Sequence, residues 1–161
     1  MLRRLLSVAL FIAPLVLAGC GSTAPTQGTM RERIGTTTAR DAIEQTRQVL
    51  LNTYNYRFDR EVTTQEDIRF ITLWSEHTPL ESEQAKGITG CRTRLEVHAR
   101  PKNRSSGSPS TYTVIFRSEY QVQKQGGAQW VDAEMTEARE EYIEEIVQDL
   151  EDAMASGVRT R

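Results

Sequence analysis

The chain has 161 residues, of which 38% are hydrophobic and 26% charged, and its 20 Lys+Arg against 22 Asp+Glu leave a net charge of −2. That length encloses one hydrophobic core, and the mild acidity excludes a general attraction to nucleic acid or to anionic lipid. Only two cysteines occur, Cys20 and Cys91, which excludes a disulfide framework.

The N-terminus opens on Met1-Leu2-Arg3-Arg4, and an apolar run follows from Leu5 to Leu17, broken by Ser7 and Pro14. A helix of about thirteen residues reaches only about 20 Å, short of the roughly 30 Å hydrocarbon core of a bilayer. The order of charge, apolar run and small residues instead predicts a cleaved secretory signal over residues 1–19. The run ends in Leu17-Ala18-Gly19-Cys20, which resembles the lipobox of bacterial lipoproteins. The resemblance implies cleavage after Gly19 and a diacylglyceryl thioether on the Cys20 thiol, which becomes the first residue. With Gly21 and not Asp behind the cysteine, it also implies transfer to an outer membrane, facing the periplasm. Each buried methylene of the acyl chains contributes about 0.8 kcal/mol, so two or three chains anchor the protein stably.

Residues 20–37 are rich in Gly, Ser, Thr, Pro and Gln and lack apolar periodicity, which predicts a lipidated flexible tether. A coil of that length spans about 23 Å. The folded domain is expected over 38–157, with a short tail at 158–161. A first helix begins at Thr38, where Thr38 and Asp41 form a capping-box variant. Ala39, Ala42, Ile43, Thr46, Val49 and Leu50 then build one apolar face, ending near Asn52. The period next changes to two: Tyr54, Tyr56, Phe58 and Val62 alternate with polar residues as in a half-buried strand. Thr64–Asp67 is a polar turn. Ile68–Ser75 reads as a central strand, with Phe70, Thr72 and Trp74 on one face. Glu76–Gly90 is expected to be a polar loop.

Cys91, Thr93, Leu95, Val97 and Ala99 alternate with Arg92, Arg94, Glu96, His98 and Arg100 in a third strand. A loop over 101–110 leads to a fourth, in which Tyr112, Val114, Phe116, Tyr120 and Val122 face one way. Trp130-Val131 adds a short piece. The last helix is expected to start behind an Asp132 N-cap and to run to Gly157. Its stripe is Met135, Ala138, Tyr142, Ile146, Leu150, Ala153 and Met154. The sum is an α+β fold, α-β-β-β-β-α, in which an antiparallel sheet of three to four strands carries both helices on one face.

Chemistry-bearing residues are sparse. Glu134, Glu137, Glu140, Glu141, Glu144, Glu145 and Asp149 lie opposite the apolar stripe and read as a solvated surface. His77 and His98 have no partner at metal-ligand spacing, and no phosphate loop, nucleophile elbow or HExxH motif occurs. Neither a catalytic residue, a metal nor a cofactor is therefore expected. With Cys20 committed to lipid, Cys91 reads as a small buried apolar residue, with redox chemistry as the alternative. The strongest binding candidate is the outward row Arg92, Arg94, His98, Arg100 and Lys102, with Arg104 beyond it. Such a row clamps phosphate or carboxylate on an envelope polymer or protein, unless Glu61 or Glu119 neutralises it from a neighbouring strand.

Tyr54-Asn55-Tyr56-Arg57-Phe58, Ile71-Thr72-Leu73-Trp74 and the arginine-studded strand from Arg92 together resemble the helix-grip domains of BamC-like lipoproteins. Those are accessory parts of the outer-membrane protein assembly machine, usually with two such domains where this chain has room for one. The resemblance implies a non-enzymatic, lipid-anchored binding or assembly module with an envelope partner. The alternative is a small-molecule or lipid-binding domain whose cavity between sheet and C-terminal helix is lined by Tyr54, Tyr56, Phe58, Trp74, Tyr112, Phe116 and Tyr142.

Overall fold

A computed structural model describes residues 28–102 and 111–158. The expected signal 1–19, the lipid attachment point Cys20, residues 21–27, the loop residues 103–110 with Arg104, and residues 159–161 lie outside the described residues.

Two long strands organise the sheet. β5 (Ile88–Pro101) buries Cys91, Thr93, Leu95, Val97 and Ala99, and β6 (Tyr112–Lys124) buries Tyr112, Val114, Phe116, Ser118, Tyr120 and Val122. They pair antiparallel from Ile88↔Lys124 to Pro101↔Tyr112, so the period-two patterns align and merge into one apolar inner face. Added to them are β1 (Thr29–Thr37), β2 (Phe58–Thr63), β3 (Ile68–Thr72), β4 (Ser75–His77) and β7 (Val131–Asp132). Among the described residues the result is an open antiparallel sheet of seven strands in the order β1-β6-β5-β3-β2, with β4 also on β5 and β7 also on β6.

Two helices cover the inner face. α1 (Ala39–Arg47) lies over β3, β5 and β6, and α3 (Glu137–Val158) packs against β1 and α1. Thr38 caps α1 as expected, its hydroxyl accepting from the Asp41 amide at 3.1 Å. The helix then widens into a π-helical stretch over Gln48–Thr53, closed by the Tyr54 amide donating to the Val49 carbonyl. A third helix, α2 (Glu81–Gln84), is a single turn set against β5.

The class is the expected α+β; the strand number exceeds the expected three to four, for physical reasons that differ by strand. Thr29–Thr37, expected in the tether, pairs with β6 from Thr29↔Glu119 to Thr37↔Tyr112. Its exposed Arg31, Glu32 and Arg33 break the apolar alternation, and such charges are what keeps a free edge from pairing with other chains. Residues upstream of Thr38 are therefore part of the sheet. Tyr54–Arg57, expected to open a strand, forms the exit from the π-helical stretch, with Asn55 at φ 57°, and β2 begins at Phe58. Asp132 is not a helix cap: it sits in β7, where its carboxylate accepts from the Gln121 side-chain amide at 2.9 Å. The first amides of α3 donate instead to the Thr136 carbonyl, from Arg139 and Glu140 at 2.8 and 2.9 Å. With this later start the buried stripe becomes Arg139, Ile143, Ile146, Val147, Leu150 and Met154, while Ala138 is exposed and Tyr142 half-buried.

Candidate functional site

The outer face of the sheet carries the arginine row, and a bulge shapes it. β3 pairs with β5 up to Ile71↔Glu96, whereas β4 resumes at Ser75↔Thr93, so Leu73–Trp74 contains one residue more than β5 opposite it. An extra residue inverts the facing of everything after it. Trp74, expected to share a face with Phe70 and Thr72, thus lies on the outer side against Arg92 and Arg94, and His77 turns inward opposite Cys91. The Leu95 amide, facing the gap between the two partner strands, is met by the Thr72 hydroxyl at 2.9 Å.

On that outer face Arg92 lies between two indoles, its guanidinium carbon 4.5 Å from the Trp74 ring centre and 4.4 Å from that of Trp130. Its Nε and Nη2 both donate to the Gln121 side-chain oxygen, at 2.9 and 2.6 Å. It has no carboxylate within ion-pairing distance among the described residues, and burial lowers its pKa from the ordinary arginine value. Glu76, its register neighbour on β4, acts only at longer range. Arg94 is neutralised by Glu119, the strand neighbour anticipated from the sequence, which also takes Arg117 at 3.3 Å. Glu61, the other candidate, pairs with Arg47 instead. Arg69 pairs with Glu96 at 3.4 Å. His98 is largely buried, held by Asp67, with Arg69 and Arg100 also against its ring. Arg100 donates only to His98, at 3.1 Å, and the exposed Lys102 makes no side-chain hydrogen bond or ion pair among the described residues.

The five expected residues are thus spread along one strand and do not converge on one point. At its middle is a cleft of about 230 Å³ lined by Asp59, Arg60, Ile71, Arg94, Glu96, Arg117 and Glu119.

A second polar assembly, not singled out in the sequence, is buried on the inner side. Glu83 of α2 is fully buried and receives Arg139 of α3 through two hydrogen bonds of 3.0 Å. It also accepts from the Tyr120 hydroxyl at 2.8 Å and the Leu80 amide at 2.7 Å. Burial pushes its carboxyl up, but the Arg139, Leu80 and Tyr120 hydrogen bonds and the Arg139 charge outweigh that and hold it below the ordinary value. Cys91 touches both partners, with Arg139 Nη2 at 3.2 Å and Glu83 Oε2 at 3.6 Å from its sulfur. Beside it the Thr93 hydroxyl meets Tyr56 and His77 Nε2, each at 2.8 Å.

A cysteine near a histidine raises the question of nucleophilic catalysis, which requires a thiolate and a base able to take its proton. The surroundings of both groups oppose these conditions. Burial pushes the Cys91 thiol up to about 11, and burial with the Arg139 charge pushes His77 down to about 4. The Cys91 sulfur is also turned to the His77 carbonyl, at 3.3 Å. The geometry is that of a clasp tying α2 and α3 to the sheet. Arg139 gave no signal in the sequence because it sat among the glutamates of the last helix; its place on the stripe four residues before Ile143 was the available clue.

Of the aromatic residues considered as cavity lining, Tyr56, Tyr112 and Phe116 are packed in the core, Phe58 lies against Phe70, and Tyr54 meets Tyr142 edge-on. No protein-family model and no curated protein matches the chain.

Proposed function

We propose that the chain is a lipid-anchored cell-envelope protein, held through acyl groups on Cys20, that acts without catalysis by binding a carboxylate- or phosphate-bearing partner on its outer sheet face. The observation that carries the binding part is that face itself. Both long helices lie on the opposite side, and at the far end of β5 Arg100 and Lys102 have no carboxylate partner among the described residues. Arginine's fixed fork of donors suits planar oxyanions. The anchor is supported by Leu17-Ala18-Gly19-Cys20 and its preceding signal pattern, and Gly21 favours the outer membrane, facing the periplasm. The likeness to BamC-like helix-grip domains belongs to the same proposal; a long C-terminal helix on an antiparallel sheet supports it, and an assembly role would follow from it.

The test is crosslinking in native membranes, comparing the wild-type chain with the double variant Arg100→Glu, Lys102→Glu. One dominant envelope adduct, lost in the variant, is the expected result. An adduct that survives the double substitution moves the site elsewhere, and the absence of any specific adduct from an acylated chain overturns the binding reading.

A small-molecule ligand is the second reading. The cleft of about 230 Å³ favours it, with carboxylates and guanidiniums interleaved along its walls as a zwitterion would require. Native mass spectrometry of the purified chain tests it, since a bound ligand adds a discrete mass that disappears in Arg60→Ala.

A further inference from the structure

The pairing of β1 shortens the tether, with a consequence for how the domain sits. On the anchored reading above, on which this inference rests, only residues 21–27 separate Cys20 from Gly28, whose carbonyl already accepts from the Tyr120 amide at 2.9 Å. Eight steps of at most about 3.5 Å reach no more than about 28 Å. A domain of this size has a radius of gyration of about 14 Å, so it is broader than its leash and is kept close to the bilayer.

The leash enters at one end of the sheet. Gly28 abuts the backbone of Ala133 and Tyr120, and β7 continues along the same edge of β6, Val131 pairing with Val122. Trp130 reaches Gly90, which pairs with Gln123, three residues beyond Tyr120 and therefore about 10 Å further along. At this end Trp130 and Trp74 flank Arg92, and Leu73, which shares the outward bulge with Trp74, is a large hydrophobic side chain that stands exposed, at 48%.

We propose that Leu73, Trp74, Arg92 and Trp130 form a membrane-contact surface that rests on phospholipid headgroups. Indole rings favour the bilayer interface, where one side of the ring is apolar and the other wet. Arg92, without an ion-pair partner among the described residues, is placed to meet lipid phosphate while its stem stays between the rings. Exposed Lys86 and Lys124 add positive charge at this end, and Glu76 and Asp132 add negative charge. The contact therefore depends on the indoles and the short leash, and does not require anionic lipid.

Trp74 and Trp130 are the two tryptophans of the sequence, so tryptophan emission reports on this surface alone. The acylated protein, purified from membranes, is reconstituted into phosphatidylethanolamine–phosphatidylglycerol vesicles with or without bromine on the upper acyl chain. The expected result is about a two-fold loss of emission in brominated vesicles, as befits rings at headgroup depth, with quenching retained by the Trp74 that remains in Trp130→Phe. Unchanged emission from a chain that floats with the vesicles and carries the acyl mass on Cys20 overturns the contact and leaves the anchor standing. Lack of the acyl mass overturns the anchored reading, and the contact with it. Emission that follows protein concentration and not bromination assigns the surface to a second copy of the chain, which likewise overturns the proposal.

Discussion

Glu83→Gln removes a charge and almost nothing else, which makes it the sharpest probe of the buried clasp. The Glu83 and Arg139 side chains retain 0% and 4% of their exposure, so water cannot replace the lost carboxylate. The guanidinium would be left dry and uncompensated, and breaking a buried pair in this way costs about 3–5 kcal/mol. Against a total stability of about 5–15 kcal/mol for a domain, that is a large fraction. It corresponds to a fall in melting temperature of about 10–20 °C for a chain of this length. Urea unfolding followed by circular dichroism measures it, and the double variant Glu83→Leu, Arg139→Met supplies the contrast. With both charges gone nothing buried is left unpaired, so the double variant should be more stable than Glu83→Gln. The exposed pair Arg40–Glu44 calibrates the scale: both side chains are more than half exposed, and Glu44→Gln should leave the unfolding midpoint essentially unchanged. A Glu83→Gln variant within about 1 kcal/mol of wild type, with no coupling to Arg139, would refute the reasoning.

Acid should weaken the same region. His77 is held neutral, its pKa down from 6.5 to about 4, so the unfolded chain takes up the proton first. The stability it contributes is fully present above pH 6.5 and is lost as the pH falls toward 4, by up to about 3 kcal/mol; His77→Gln should flatten that part of the profile. Glu83, also held below its ordinary value, adds a further loss in the same direction at lower pH. The Cys91 thiol, raised to about 11, should react with iodoacetamide at neutral pH at least about a hundred times more slowly in the native protein than in urea; equal rates would place it outside the core. In Gly28→Ala the new Cβ falls 2.3 Å from the Ala133 carbonyl oxygen at a φ of +78°, and neither backbone can yield cheaply. A loss of about 1–3 kcal/mol, with faster hydrogen exchange along β1, is expected; unchanged exchange would mean that β1 does not depend on this junction.

What was legible in the sequence was whatever followed one period without interruption. β6 alternates along nearly all of its thirteen residues and β5 from Cys91 onward, and the outward facing of Arg92, Arg94, His98 and Arg100 followed from that alone. The Thr38 cap was legible because a hydroxyl and a carboxylate three residues apart form one local unit. What was hidden was set by distant partners. β1 is a strand only because β6 offers it a register, with a bulge between Arg33 and Gly35 that scrambles its alternation. β4 and β7, three and two residues long, are too short to show a period. The bulge at Leu73–Trp74 moved one aromatic residue from the expected inner face to the outer one, and with it the tryptophan pair that brackets Arg92. The neutralisation of Arg94 depended on cross-strand register, which placed Glu119 opposite it.

These long-range effects divide the arginine row into parts with different roles. Its middle is occupied by internal ion pairs: Arg94 and Arg117 share Glu119, and Arg69 holds Glu96. Binding an external anion there means breaking a partly exposed pair, for little net gain. Only the two ends offer cations without carboxylates among the described residues, Arg92 at one and Arg100 with Lys102 at the other. Ten residues of strand separate Arg92 from Lys102, about 33 Å at roughly 3.3 Å per residue. A leash that enters beside Tyr120 brings the Arg92 end to the lipid and holds the Arg100 end away from it, so one strand carries the proposed membrane contact and the proposed partner site without overlap. The two are then separable by mutation. Arg100→Glu with Lys102→Glu should abolish the crosslinked adduct and leave bromine quenching of the tryptophans intact, while Trp130→Phe should leave the adduct and the quenching of Trp74. A single variant at either end that removes both signals would show that the domain meets membrane and partner through one surface, and the division of the row would be wrong.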